Sequence, residues 1–415
     1  MKRKSLFLLF FIILSVTFSF AQSELTPYIN FLQKQQTPKE YIFALWKESD
    51  IIILGERDHR DTTQYNLILD ILSDKRFIEN IGYLYLEVGV VNATEDANAL
   101  IKENFVNQSD FNKRFTELQM KEVWHPQPWL NYNRYQLLSG LAKINRNLPK
   151  EKQITIGLID MEFCWDDMTP EKYKKFITTD MSKEFTTREK IMADNFLALY
   201  SVQPRRNDTK KALIITSREY AGKQTFSYLN KKTKRQAGYI KDVLEEKVKT
   251  VALNWYKWLP LNWHRSVLPD KTNGLSANGK WDAVFELTNN TPTGFDLESS
   301  PFGNDEYDYA YHKGLKWKDV FDGFIFYIPY YSHTAKMGFP FELSSEQAKE
   351  VIRRTMIYEK AHGNTKNIRL LKWLGWIEKN RVKKDYNRQR ELQCIDFYPN
   401  SEKWIDEMNK WIESN

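Results

Sequence analysis

A histidine and three carboxylates stand where short apolar runs of this sequence end. Glu56 follows the run at 51–54, His59 comes three residues later, and Glu87 and Asp160 close two further runs. Carboxylates that lie close together raise one another's pKa values and suit general-base chemistry or metal binding. Histidine exchanges protons near neutral pH. The spacing therefore predicts a site in which His59, its second nitrogen held by Glu56 or Glu87, activates a water molecule.

Other charged side chains after these runs are candidates for contacting a substrate. An arginine beside the reacting atoms would neutralise an oxyanion, and Arg60 and Arg188 are the two candidates for that role. The other candidates follow apolar runs elsewhere in the chain, so we expect them at the same edge of the molecule. The predicted substrate-binding residues are Arg60, Asp160, Glu162, Arg218 and His333.

A purely structural interpretation fits the same residues. The charged stretch 57–61 is compatible with a solvated polar loop, and Glu87 with a cap on a neighbouring helix. His125, in a Trp-His-Pro triplet, fits a pocket wall or a helix break. Ser217 lacks the Gly-x-Ser-x-Gly turn that exposes a catalytic serine. The E-x-x-H spacing by itself fits a catalytic role and a purely structural role of these residues equally well.

Strands are predicted where short β-branched and aromatic runs alternate with helical patterns. Such alternation predicts an α/β fold with a predominantly parallel central sheet and helices on both faces. Because ligands bind beyond the carboxyl ends of parallel strands, the charged residues above should lie close together. The predicted strands are 51–54, 83–88, 154–159, 212–216, 250–254, 283–287 and 323–328.

Helical patterns fill the intervals between the strands. Thr37 and Pro38 predict an N-cap and a first helical residue, and residues 124–128 predict a break in a long helical region. The part after residue 21 (22–415) is predicted to be a single domain, because no linker or repeat divides it. The predicted helical parts are 26–47, 62–73, 187–200 and 235–246, insertions at about 93–146 and 266–318, and a tail at about 344–415 whose tryptophans suit core packing.

Residues 1–21 have the pattern of a secretory signal peptide. Cations at 2–4 precede an apolar run at 6–20, and Ser19 and Ala21 occupy the −3 and −1 positions of a cleavage site. A transmembrane anchor is the alternative, but the run is short for a span. We therefore expect export to the periplasm or the extracellular space, with no stable membrane anchor after cleavage.

The net charge and the number of cysteines limit which partners and which covalent cross-links we expect. The formal net charge of +7 falls to +4 without the leader's three cations, an excess too small to demand nucleic acid. Cys164 and Cys394 are the only cysteines, too few for a disulfide framework, and we expect two free thiols. The expected partner is a small-molecule substrate, and the sequence does not indicate an oligomeric state.

Several segments resemble the erythromycin esterase-like superfamily. Residues 54–59 are similar to its L-G-E-x-x-H signature, and 83–87 to its second strand, which ends in glutamate. Residues 238–254 are similar to its glycine, helix and next strand, so the resemblance spans about 45–330. The family's R-[DE]-x-x-M-A-x-N helix is matched by Arg188, Glu189, Met192, Ala193 and Asn195.

The resemblance implies a fold shared with haem-binding iron-regulated lipoproteins and a metal-independent ester hydrolysis. His59 would be the general base, with Glu56 and Glu87 beside it, and Arg188 a structural or electrostatic residue. The sequence departs from the family after the fourth strand, where Ser-Arg-Glu-Tyr at 217–220 replaces H-N-x-H. The candidates to replace the missing second histidine are His264, His312 and His333.

Three hypotheses follow. The first is an exported hydrolase of the erythromycin esterase-like type that cleaves an ester or a related bond through His59, Glu56 and Glu87, without a cofactor. The second is a divalent-metal hydrolase, in which these residues and Asp160 bind an ion such as manganese. The third is a binding protein for haem or another planar ligand that has the fold without turnover.

Overall fold

A computed structural model of the chain describes residues 23–126, 131–180, 187–228, 231–255, 275–307, 314–336, 338–363 and 401–414. Its strands are β1 (Ile51–Glu56), β2 (Tyr83–Val90), β3 (Thr155–Asp160), β4 (Ala212–Ser217), β5 (Thr225–Tyr228), β6 (Lys231–Lys234), β7 (Val248–Leu253), β8 (Thr293–Asp296) and β9 (Gly323–Phe326).

The helices account for most of the remaining described residues. They are α1 (Thr26–Leu32), α2 (Pro38–Glu48), α3 (Thr63–Ser73), α4 (Lys75–Asn80), α5 (Thr94–Lys102), α6 (Gln108–Glu122), α7 (Asn131–Arg146), α8 (Pro170–Lys175), α9 (Thr187–Val202), α10 (Arg218–Ala221), α11 (Gln236–Leu244), α12 (Lys280–Leu287), α13 (Trp317–Val320), α14 (Ser345–Ala361) and α15 (Ser401–Ser414).

A seven-stranded sheet in the order β3-β2-β4-β1-β7-β9-β8 forms the centre of the described structure. Its neighbouring strands pair in parallel, except that β8 runs antiparallel to β9. The strand β1 lies between β4 and β7, with β2 next to β4. The carboxyl ends of β1, β2, β3 and β4 therefore meet at one edge.

Both faces of the sheet are covered. Along β1, Ile52 and Leu54 belong to a core cluster that includes side chains of α2, α3, α5, α6 and α7. The alternate residues Ile51 and Ile53 belong to a second cluster with α1, α9, α11 and α12. A strand buried on both faces reads as a continuous apolar run, as this one does. The predicted fold class, a predominantly parallel sheet with helices on both faces, is confirmed.

Local signals place several of the helix ends. The Oγ1 of Thr37 accepts a hydrogen bond from the backbone N–H of Glu40 at 3.5 Å, as the predicted N-cap of α2 requires. The predicted break in the long helical region is present, since α6 ends at Glu122 and the described residues 123–126 are not helical. A second break, at residues 103–107, separates α5 from α6. There Asn107 caps α6 by accepting a hydrogen bond from the N–H of Asp110 at 2.9 Å.

The predicted strand at 283–287 is wrong, because these residues belong to helix α12. Trp281, Val284 and Phe285 are buried on one side of that helix. A short apolar run does not distinguish a strand from a buried helix by its pattern alone. The edge strand β8 and the antiparallel hairpin of β5 and β6 were not predicted.

Some sequence-based predictions concern residues outside the described ranges. These include the signal peptide and the candidate histidines His264 and His312. Cys164 is exposed, whereas Cys394 lies outside the described residues, so the state of the two thiols stays a prediction. In the described part of the chain, no helix combines the length and apolarity needed to cross a bilayer.

Candidate active site

Glu56 and His59 form a pair at the carboxyl end of β1. The Nδ1 of His59 lies 2.8 Å from Oε1 of Glu56, and the hydroxyl of Tyr65 donates to the same carboxylate at 3.2 and 3.3 Å. The side chain of Glu56 is 4% exposed and that of His59 19% exposed. The pair is therefore held inside the protein while the imidazole keeps a partly open face.

The charges around His59 favour its protonated form. Burial disfavours the imidazolium, but the charge and hydrogen bond of Glu56 and the charges of Glu87 and Asp58 outweigh burial and raise the pKa of His59 to about 9. At neutral pH His59 is thus an imidazolium. His59 must lose this proton before it can accept one from water.

Hydrogen bonds from two helices fix the loop that carries His59. Gln64 of α3 accepts from the backbone N–H of Arg57 and donates to the carbonyl of Asp58, both at 2.7 Å. Asn133 of α7 donates to the backbone carbonyl of His59 at 2.7 Å. Both Gln64 and Asn133 are buried. The position of His59 therefore depends on the packing of α3 and α7 as well as on β1.

A cavity of about 20 Å³ adjoins the pair, which is room for about one water molecule. Its polar wall consists of Glu56, His59, Tyr65 and Arg134. Its apolar wall is formed by side chains of β2, β4 and α7. The candidate base and its carboxylate partner thus face a space of the size of one reacting oxygen.

Arg188 connects two of the predicted carboxylates. Its Nε and Nη2 each donate to Asp160 at 2.9 Å, and its Nη2 lies 3.4 Å from Glu87. Its Nη1 donates to the hydroxyl of Tyr220 at 3.0 Å. The indole of Trp124 donates to Asp160 at 2.8 Å. This network brings together the predicted residues Arg188, Asp160 and Glu87, and its donors are directed at protein acceptors.

Glu87 does not hydrogen-bond to His59. Its Oε2 accepts from the backbone N–H of Ser217 at 2.5 Å and from the Oγ1 of Thr216 at 3.1 Å. The register between β2 and β3 shifts just after Leu86, and Gly89 has φ of +126° there, a conformation that L side chains rarely adopt. Glu87 therefore acts on His59 through its charge while its oxygens bind β4.

His333 lies in a different buried cluster. Its Nε2 contacts the Nη1 of Arg57, and its Nδ1 lies 3.6 Å from Oδ2 of Asp61. The Nε of Arg57 is 3.4 Å from the same oxygen. His333 is not among the residues that line the cavity. It supports the loop after β1 and does not supply a second histidine at the cavity.

Three further predicted residues also lie away from the cavity wall. Arg60 forms a two-pronged ion pair with Asp58, at 2.9 and 2.6 Å. Glu162 is exposed. Arg218 is buried, with its guanidinium carbon 3.6 Å from the ring centroid of Trp255. Their role in substrate binding stays a prediction.

His125, for which the sequence left a pocket wall or a helix break open, lies close enough to His59 to be affected by its charge. Its ring lies against Trp124, with centroids 4.7 Å apart. Burial, followed by the positive charges of Arg188 and His59, lowers the pKa of His125 to about 3, against the charge of Asp160. His125 is therefore uncharged near neutral pH, and it is not among the residues that line the cavity. The Trp-His-Pro triplet at the helix break was its only sequence signal.

The described residues contain no group of three His, Cys, Asp or Glu side chains arranged to hold a metal ion. The carboxylates at the strand ends bind other partners instead. Glu56 holds His59, Glu87 binds the start of α10 through Ser217, and Asp160 binds Arg188. This donor set does not favour the metal-dependent hypothesis.

No protein-family model matches the chain, and no curated protein matches it in sequence. Solved structures similar to it, each at 11% identity, include a Bacillus cereus protein (TM-score 0.39, 74% of this chain and 93% of that one). Another is an erythromycin esterase with a histidine-to-asparagine substitution, in its open conformation (0.43, 69% and 92%). A third is a succinoglycan biosynthesis protein (0.45, 74% and 97%). An erythromycin esterase is thus among the similar structures.

Proposed function

We propose that this protein is an exported hydrolase that cleaves an ester or a related bond, with His59 as the general base. The observation that carries the proposal is the Glu56–His59 pair, 2.8 Å apart, beside a cavity with room for one reacting oxygen. A base within hydrogen-bond reach of such a space meets the geometric requirement for activating water. The signal-peptide pattern of residues 1–21 supports export.

Each member of the pair has a defined task in this reaction. Glu56 holds Nδ1 of His59, so Nε2 is the atom that takes a proton from water as the water oxygen attacks the carbonyl carbon. Glu56 stabilises the imidazolium that results, and Tyr65 orients Glu56 through its hydroxyl. The imidazolium then returns the proton to the leaving alcohol. The proposed mechanism uses neither a metal nor an organic cofactor.

The test is hydrolysis of a panel of chromogenic esters by the purified mature protein, with and without a chelator. We expect chelator-resistant turnover of at least one ester, and a loss of kcat/KM by about 10²- to 10⁴-fold in His59→Ala, since that is the usual contribution of a general base. The matched control is His362→Ala, because His362 is exposed at the end of α14 and should leave turnover unchanged.

Other outcomes would contradict the proposal in distinguishable ways. Turnover that disappears with the chelator and returns with manganese would support a metal-dependent hydrolase. Absence of turnover on every ester, together with saturable haem binding, would support the planar-ligand hypothesis. Equal loss of activity in His59→Ala and His362→Ala would show that the assay does not report on the pair.

A further inference from the structure

Arg134 brings a positive charge to the cavity that neither the strand-end pattern nor the family resemblance assigns. It lies on α7 and is 4% exposed. Its Nε and Nη2 donate to the two carboxylate oxygens of Glu122 on α6, at 2.9 and 2.6 Å. Its Nη1 has no hydrogen-bond partner within the described part of the chain. Because Arg134 lines the cavity with His59 and Glu56, Nη1 is the donor it can offer to a bound oxygen.

We propose that Arg134 is a catalytic residue whose Nη1 binds the negatively charged oxygen of the tetrahedral intermediate. This inference rests on the proposed hydrolase function and names its oxyanion-binding group. The substrate class that it selects is an ester whose carbonyl oxygen enters the cavity. A carbonyl oxygen that enters the cavity of about 20 Å³ takes the place of the one water molecule for which the cavity has room, and the attacking water then lies at the mouth of the cavity beside His59.

The ion pair with Glu122 makes Arg134 suitable for this task. A two-pronged arginine–carboxylate pair fixes the plane of the guanidinium, so its remaining donor is oriented before the substrate arrives. A donor that is fixed in advance, in a site with little water, stabilises developing charge most strongly. Glu122 is fully buried and balances the charge of Arg134 in the resting protein.

The two arginines expected from the sequence are placed less well for this role. Arg188 directs its three nitrogens at Asp160, Glu87 and Tyr220, and Arg60 forms its ion pair with Asp58. Neither residue lines the cavity. The geometry therefore assigns the oxyanion to Arg134.

The reaction balances with these groups. The water oxygen forms a bond to the carbonyl carbon while its proton moves to His59, and the carbonyl π electrons move onto the oxygen that Arg134 binds. When the intermediate collapses, that oxygen regains its double bond and the bond to the alcohol breaks. The alkoxide takes the proton from His59, which leaves a carboxylic acid, an alcohol and the original imidazole.

The test uses the double variant Arg134→Gln/Glu122→Gln, because removal of one partner alone leaves an unpaired buried charge. We expect kcat for a chromogenic ester to fall by about 10²- to 10³-fold with KM nearly unchanged. Binding of phenyl methylphosphonate, a stable tetrahedral anion, should weaken by a similar factor in calorimetry. The matched control is Arg114→Gln/Glu117→Gln, an ion pair on α6 whose side chains are 46% and 43% exposed, and it should change neither quantity.

A second variant keeps the test decisive if the double variant does not fold. Arg134→Lys retains a positive charge beside Glu122 but has no Nη1, so we expect it to fold and still lose kcat. If the unmodified protein turns over the ester and the variants keep its kcat and its phosphonate affinity, the role of Arg134 is overturned and the general-base proposal stands. Phosphonate binding that depends on Arg134, in a protein without esterase turnover, would support the anion site and overturn the proposed function.

Discussion

Glu56 lies close enough to His59 to change the titration of the imidazole. The carboxylate that orients the imidazole also holds its proton, and the pKa of His59 rises to about 9. A general base is active only in its unprotonated form. The same contact therefore improves the geometry of His59 and restricts the pH range in which it can accept a proton.

This conflict predicts the pH dependence of hydrolysis. We expect kcat/KM to rise with pH and to level off above about pH 9, because His59 must be deprotonated to act. Glu56→Gln removes the negative charge that raises the pKa of His59, so the rising limb should move to lower pH and the plateau should fall. The measurement is a pH–rate profile of both proteins from about pH 6 to 10.

Glu298→Gln is the control for that profile, since Glu298 is 80% exposed, and its curve should overlay that of the unmodified protein. A limb that stays in place in Glu56→Gln would contradict the assignment of His59 as the titrating base. A purely structural role of Glu56 would lower the plateau without moving the limb.

The loop between β1 and α3 is the element that positions the candidate base. It is bound to the segment after β9 by the N–H of Thr62, which donates to the carbonyl of Thr334 at 2.8 Å, and by the N–H of Lys336, which donates to the carbonyl of Arg60 at 2.9 Å. The buried contact between Arg57 and His333 adds a side-chain connection. These contacts support a role of His333 in positioning the loop.

Removal of this connection should loosen the loop. We expect His333→Gln to increase amide hydrogen exchange in residues 57–62 and to lower kcat/KM by up to about 10²-fold, because a small displacement of a catalytic group costs that much. The control is His362→Gln, on the exposed end of α14. Reduced activity without faster exchange in 57–62 would contradict the positioning role and indicate a direct contact with substrate.

At the scale of the whole molecule, the two described ends of the chain meet on the face of the sheet opposite the cavity's apolar wall. The N–H of Glu24 donates to a carboxylate oxygen of Glu407 in α15 at 2.8 Å. The indole of Trp404 donates to the carbonyl of Asn278 at 2.8 Å and belongs to the second core cluster. Stability contributed at this junction should be independent of the candidate active site.

Trp404→Ala tests that independence. We expect a loss of about 3 kcal/mol in the free energy of unfolding, because truncation of a buried tryptophan removes packing and leaves a cavity, with kcat at 25 °C unchanged. Urea unfolding gives the first quantity and ester hydrolysis the second. Ile405→Ala is the control, since Ile405 is 56% exposed and should cost less than about 0.5 kcal/mol. A large loss of kcat in folded Trp404→Ala would show that the two faces are coupled.

The sequence by itself determined the fold class and gave two candidate partners for His59. Strands β1 to β4, β7 and β9 were predicted near their observed positions, since turn signals and charged residues bound each apolar run. A spacing of three residues made Glu56 one of those candidates, with Glu87 as the other, and the structure shows Glu56 in contact with His59. The cap at Thr37 is local in the same way. Contacts between residues that are close together in the chain can be predicted from the sequence alone.

Only the tertiary structure decided which face each strand-end side chain occupies. Successive side chains of a strand point to opposite faces, but Ile51, Ile52, Ile53 and Leu54 are all buried, so the sequence shows no alternation from which to read that direction. Glu56 continues the face of Leu54, whereas Glu87 binds Ser217 and Arg188. The contact of Arg134 with Glu122 and the place of Arg134 in the same cavity wall as His59 depend on how α6 and α7 pack over the sheet. These contacts join residues on different elements, and no local pattern encodes them.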